Sequence, residues 1–164
     1  MMINTHKKHF WILITFSIFI LDRITKTLVL NYLIMEEPVS ILPILNLFFT
    51  FNTGAAFSFL NKAGGWQEWL FIGIALAVSI LLIIWLFKID TKQYLLKISL
   101  ALILGGTLGN LYDRIIYHKV IDFIDFYFRR WHYPVFNIAD CVICIGAIML
   151  LIDLIYKEKT KKKR

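Results

Sequence analysis

KVIDFIDFYFRRWHYPVFNIADCVIC, residues 119–144, decides how the chain reads. It begins with Asp122 and Asp125 just outside one apolar segment, crosses a crowd of aromatic residues, and ends in a second apolar segment that carries Asp140. A carboxylate inside a lipid-embedded helix costs roughly 3 kcal/mol on insertion scales, so Asp140 marks a functional site whose partner has to be named. Asp122 is that partner here. Two aspartates brought together at a membrane surface can share one proton, and such a pair can activate water. Asp125, three residues further on, offers the same chemistry, and spacing alone does not choose between them.

Working outward, four segments each approach the roughly 20 apolar residues that a membrane helix needs, at about 10–32, 66–87, 94–116 and 134–156. An apolar share of 59% over 164 residues, with a mean hydropathy of +0.71, exceeds what a soluble core of this size can bury. The expected fold is therefore a single all-α integral membrane domain, residues 1–164, with four transmembrane helices. Two lysines precede the first apolar run and no small-residue cleavage site follows it, which reads as a retained signal anchor. Between the first two helices, loop 36–65 holds the β-prone run Leu45–Asn52, a Gly-bearing turn at Thr53–Gly54 and a second short run Ala55–Leu60, the pattern of a small β-hairpin. Loop 117–133 is crowded with Tyr117, Phe123, Phe126, Tyr127, Phe128, Trp131 and Tyr133 and reads as an interfacial aromatic belt.

Basic residues exceed acidic ones by 18 to 11, and their placement argues for an anionic membrane leaflet rather than nucleic acid. Six of the 18 lie in the tail 157–164. The N-terminus, the 88–97 connection and this tail together hold eleven, against five on the other side (Lys62, Arg114, Lys119, Arg129 and Arg130), so both termini are expected in the cytoplasm and both loops outside it. At about 1.5 Å per residue, Asp22, Asn110 and Asp140 all fall toward the outer surface.

The polar residues inside the apolar segments form small groups. Asn110, Asp113 and Arg114 share a helix face, and a polar cap with Asp113 and Arg114 paired is the plainer reading. Asn137 and Asp140 also share a face. With Pro134 taken as the first turn, Asp140 lies nearly two turns in, too deep for a cap and better placed for a site role. Asp22 and Lys26 suit an i,i+4 ion pair with a snorkelling lysine. Cys141 and Cys144 admit an alternative, a membrane thiol-disulfide redox protein. That chemistry needs a second cysteine pair, which the chain does not have. The four histidines lack ligand spacing, so neither a metal nor another cofactor is expected.

These motifs together resemble a known family. Asp22-Arg23-Ile24-Thr25-Lys26, Asn52 to Ser58 (NTGAAFS), Gly105 to Arg114 (GGTLGNLYDR), Val120 to Asp125 (VIDFID) and Phe136 to Asp140 (FNIAD) occur in the order and spacing of lipoprotein signal peptidase, signal peptidase II, the bacterial membrane aspartyl protease. The resemblance implies that Asp122 and Asp140 are the catalytic pair, which settles the choice against Asp125. It also implies that Asn52, Gly54, Asn110, Arg114 and Asn137 surround the substrate, with Asp22, Lys26, Asp113 and Ala139 fitting the motif. The implied reaction removes the signal peptide from a prolipoprotein on the N-terminal side of a cysteine carrying diacylglycerol. It would take place at the outer leaflet of the bacterial cytoplasmic membrane, with membrane lipid as a further partner and globomycin-type cyclic peptides as inhibitors. Arg23 and Cys141 depart from the family pattern, where Gln and Ser are common.

Overall fold

The computed structural model describes residues 9–54, 64–90 and 92–161. In chain order these form α1 (Phe10–Tyr32), β1 (Pro38–Leu42), β2 (Leu45–Asn52), α2 (Trp66–Lys88), α3 (Tyr94–Tyr117), β3 (Val120–Phe128), β4 (Trp131–His132) and α4 (Ile138–Lys161). α2, α3 and the stretch Ile138–Thr160 of α4 are long and apolar enough to cross a membrane. α1 is as long as α2, but Asp22, Arg23 and Lys26 interrupt its apolar character. Side chains such as Leu13, Phe16, Ile24, Leu81, Ile148 and Leu151 are exposed on the outside of the bundle. A surface this apolar suits hydrocarbon, where burying such side chains against protein brings no advantage.

α3 is the central helix and packs against α1, α2 and α4. Small residues allow the approach. A Cβ on Gly106 would stand 2.5 Å from the Ala139 carbonyl oxygen of α4, and one on Gly109 would stand 2.5 Å from an oxygen of Asp22 on α1. At one end of the bundle Trp11, Leu82, Leu86, Ile89, Leu96, Leu100, Ala101 and Leu104 form the core. At the other, Val29, Phe49, Ile121 and Phe123 join α1 to the sheet.

The structure revises the all-α expectation at this second end, where β1-β2-β3-β4 form one antiparallel sheet. The partner of Leu45–Asn52 within its own loop is β1, through the turn at 43–44, and the expected second run Ala55–Leu60 lies outside the described residues. The aromatic loop 117–133 is largely β3 and β4. Its β-branched and aromatic residues suit a pleated surface, and pairing satisfies backbone groups that would otherwise lie unpaired near lipid. Thr50 faces Asp122 and Asn52 faces Val120 in the β2–β3 register. His118 closes α3 in the left-handed conformation at φ 58°, and its N–H donates to the Arg114 carbonyl, which turns the chain directly into β3. Arg129, at φ 57°, makes the turn into β4.

α4 begins at Ile138 rather than Pro134. Residues 134–136 stay extended because Phe136 exchanges backbone hydrogen bonds with Ile124 of β3. α4 also continues through Lys161, so most of the basic tail is helical.

Candidate active site

The later start of α4 changes the place of Asp140. It occupies the first helical turn, and Asn137 sits just before the helix. The Asn137 side-chain oxygen accepts the Asp140 N–H at 3.0 Å, while Asp140 Oδ2 accepts the Asn137 N–H at 3.2 Å. This reciprocal pattern is a capping box, so the cap rejected from spacing is present after all. The capping acid nevertheless keeps Oδ1 free of the helix, and that oxygen accepts from Asn110 Nδ2 at 2.8 Å.

Asp122 approaches from the sheet. Its Oδ1 accepts from Asn137 Nδ2 at 2.6 Å and its Oδ2 from Asn52 Nδ2 at 3.0 Å. Asn137 therefore binds both aspartates, through its amide nitrogen and its amide oxygen. Asp122 and Asp140 line one cavity of about 280 Å³ together with Asn52, Asn110 and Arg114. Burial, and then the charge of Asp140, push the Asp122 carboxyl up to about 7, against the opposing pull of the Asn52 and Asn137 hydrogen bonds and of Lys26.

Arg114 and Gly54 close one side. Arg114 Nη2 donates to the Gly54 carbonyl at 3.0 Å, and the Gly54 N–H donates to Asn52 Oδ1 at 2.8 Å. The expected Asp113–Arg114 pair does not form. Asp113 instead meets Lys26 at 2.7 Å and Arg23 at 2.7 Å, and these two cations also meet Asp22, at 3.1 Å and 2.7 Å. Lys26 is fully buried rather than snorkelling, since two acids and two bases cancel within one cluster. Its ammonium also donates to Asn110 Oδ1 at 2.9 Å. That contact leaves the Asn110 amide nitrogen for Asp140. Ala139 is fully buried against α3 and acts by packing.

The structure thus brings Asp122, Asp140, Asn52, Asn110, Arg114 and Asn137 to one cavity, with Gly54 bonded at its edge. Asp22, Lys26 and Asp113 lie behind Asn110. Sequence reasoning missed Val120 and the wall Tyr133, Pro134, Val135 and Phe136, which also line the cavity. Pro134 was the available signal, because the residue before a proline favours extended backbone. Cys141 and Cys144 line the same cavity and are both free thiols. Among the described residues no cluster of His, Cys, Asp or Glu has the makings of a metal site.

Known proteins agree with this architecture. A bacterial membrane enzyme solved by the in meso method at 2.3 Å resolution superimposes with a TM-score of 0.84 at 29% identity, covering 94% of this chain and 92% of that one. A second, solved the same way at 1.9 Å, gives a TM-score of 0.76 at 30% identity, covering 88% and 91%. The lipoprotein signal peptidase of Photorhabdus laumondii is 47% identical over 154 residues, 93% of this chain and 92% of that one. That of Pseudoalteromonas translucida is 42% identical over 154 residues, 94% and 93%. None of these relatives lends support to thiol-disulfide chemistry at Cys141 and Cys144. The family model of signal peptidase (SPase) II matches residues 14–156, so the chain belongs to the signal peptidase II family of aspartic endopeptidases.

Proposed function

We propose that Asp122 and Asp140 cleave diacylglyceryl-modified prolipoproteins on the N-terminal side of the lipidated cysteine. The observation that carries this reading is that both carboxylates line one cavity and both accept from Asn137, Asp122 from its side-chain amide and Asp140 from its backbone N–H. At neutral pH the pair holds one proton between two carboxyl groups. The ionised member takes a proton from water as the water oxygen bonds to the scissile carbonyl carbon, and the protonated member donates to the carbonyl oxygen. Collapse breaks the carbon–nitrogen bond, and the proton taken from water passes to the leaving amine. As the carbonyl re-forms, the hydroxyl made from its oxygen returns a proton to the second carboxyl, so each carboxyl ends as it began and the pair again holds one proton.

The whole chain acts as one membrane domain in this reading, and α1 is its fourth span. The burial of Asp22 and Lys26 within a neutral cluster supports that assignment. Both termini are assigned to the cytoplasm and the sheet to the outer leaflet, where a lipidated cysteine places its scissile bond. The partners follow: a prolipoprotein, the surrounding lipid, and globomycin-type cyclic peptides competing for the cavity.

Purified protein in detergent, given a lipidated prolipoprotein, tests the assignment. Asp122→Asn and Asp140→Asn should each lower kcat by about a thousandfold or more while the protein remains folded. Residual turnover within tenfold of the parent in either variant would refute the two-aspartate mechanism.

A further inference from the structure

Asp125 is buried, yet it lies outside the cavity that Asp122 and Asp140 line. Three positions apart on a strand, Asp122 and Asp125 project to opposite faces. The Asp125 carboxylate meets His132 Nδ1 at 2.9 Å and accepts from Asn46 Nδ2 at 3.0 Å, so one side chain ties β2, β3 and β4 together. The His132 ring stacks on Tyr127, with centroids 5.6 Å apart and planes 19° from parallel. Directly after His132 comes the segment Tyr133–Phe136, every residue of which lines the cavity. Regular strand pairing does not extend along this segment. Its backbone is held by the Tyr133 N–H on the Phe126 carbonyl and by the two bonds between Phe136 and Ile124.

We propose that Asp125 and His132 form a clamp that positions the Tyr133–Phe136 wall against the substrate, making both of them positioning residues for cleavage. β4 is only two residues long, and a two-residue pairing at the edge of a sheet is marginal by itself. The charge-assisted bond to a buried carboxylate supplies what the short ladder lacks. The clamp leaves the aspartate pair untouched, so it acts on substrate binding rather than on bond breaking. This inference rests on the peptidase reading given above.

The test uses the full-length protein in detergent with two measurements. His132→Ala should speed amide hydrogen exchange across 131–136 by about tenfold or more, the scale expected for losing a hydrogen bond to a charged group. It should raise KM for a lipidated prolipoprotein about fivefold and leave kcat within about twofold, the pattern of lost ground-state contact. His132→Asn, whose amide nitrogen can take the place of Nδ1, should restore both values. Unchanged exchange in His132→Ala, or a loss confined to kcat, overturns the clamp. A parent protein that fails to cleave refutes the peptidase reading instead, and the exchange measurement still decides the clamp.

Discussion

Asn137 donates its amide nitrogen to the Asp122 carboxyl, accepts the Asp140 backbone N–H on its amide oxygen, and donates its own backbone N–H to the Asp140 carboxyl, so both aspartates depend on this one residue. Asn137→Ala should lower kcat about a hundredfold, since it removes the donor to Asp122 and the cap that orients Asp140. Asp122 titrates near 7, so the alkaline limb of the rate profile should fall with a midpoint close to that value as the pair loses its last proton. Asn52 donates to the ionised form. Asn52→Ala therefore moves the limb to higher pH, which a pH series of kcat/KM checks. The same shift bears on stability. A carboxyl raised above its unfolded value of 3.8 contributes stability that is complete below that value and is lost as pH rises through about 7. Asp122→Asn, expected to be inactive, should therefore melt higher than the parent at about pH 8.5, with roughly half of that gain left at about pH 5.5 and almost none below about pH 3.5, as differential scanning fluorimetry would show.

Between elements, α3 is where two kinds of contact depend on small or charged residues. Gly106→Ala forces its new methyl against the Ala139 carbonyl and should cost about 1–3 kcal/mol while displacing the start of α4. Lys26→Met removes one cation from a buried cluster and leaves a carboxylate uncompensated, a change that costs about 3–5 kcal/mol. It also frees the Asn110 amide to turn, so cleavage should fall more than thermal stability alone explains. At this scale the sequence was only partly legible. Hydropathy marked α1, α2 and α3 to within a residue, although charges interrupt α1, and placed α4 four to five residues too early. The sheet was misread because aromatic residues signal both strand and membrane interface, and only long-range pairing of β3 with β2 tells the two apart. The capping role of Asp140 stayed hidden for a related reason, since Pro134 suits an extended approach as well as a first turn.

For the molecule as a whole, the polar site lies between a helical bundle and a sheet that cover it from different sides. Asp140 was legible because hydrocarbon makes an ionisable residue conspicuous, whereas Asp122, outside the apolar segments, was separated from Asp125 only by the motif resemblance. The cluster behind Asn110 was not legible, because i,i+4 spacing predicts the Asp22–Lys26 contact but cannot foresee Asp113 and Arg23 closing around it. The assigned topology makes its own prediction. Single cysteines introduced at Lys159 and at Ser40, in a background with Cys141 and Cys144 replaced, should differ in whole cells, with only the Ser40 position reacting with a membrane-impermeant maleimide. Labelling at Lys159 from outside would invert the molecule. The interlocked amides carry one more consequence. Asn52, Asn110 and Asn137 already hold the aspartates in place, so a compound that anchors on these three side chains presents bacteria with a poor choice. On the proposed mechanism, an exchange at Asn110 or Asn137 that dislodges the drug also disturbs a carboxyl group, so escape by resistance mutation there should lower activity.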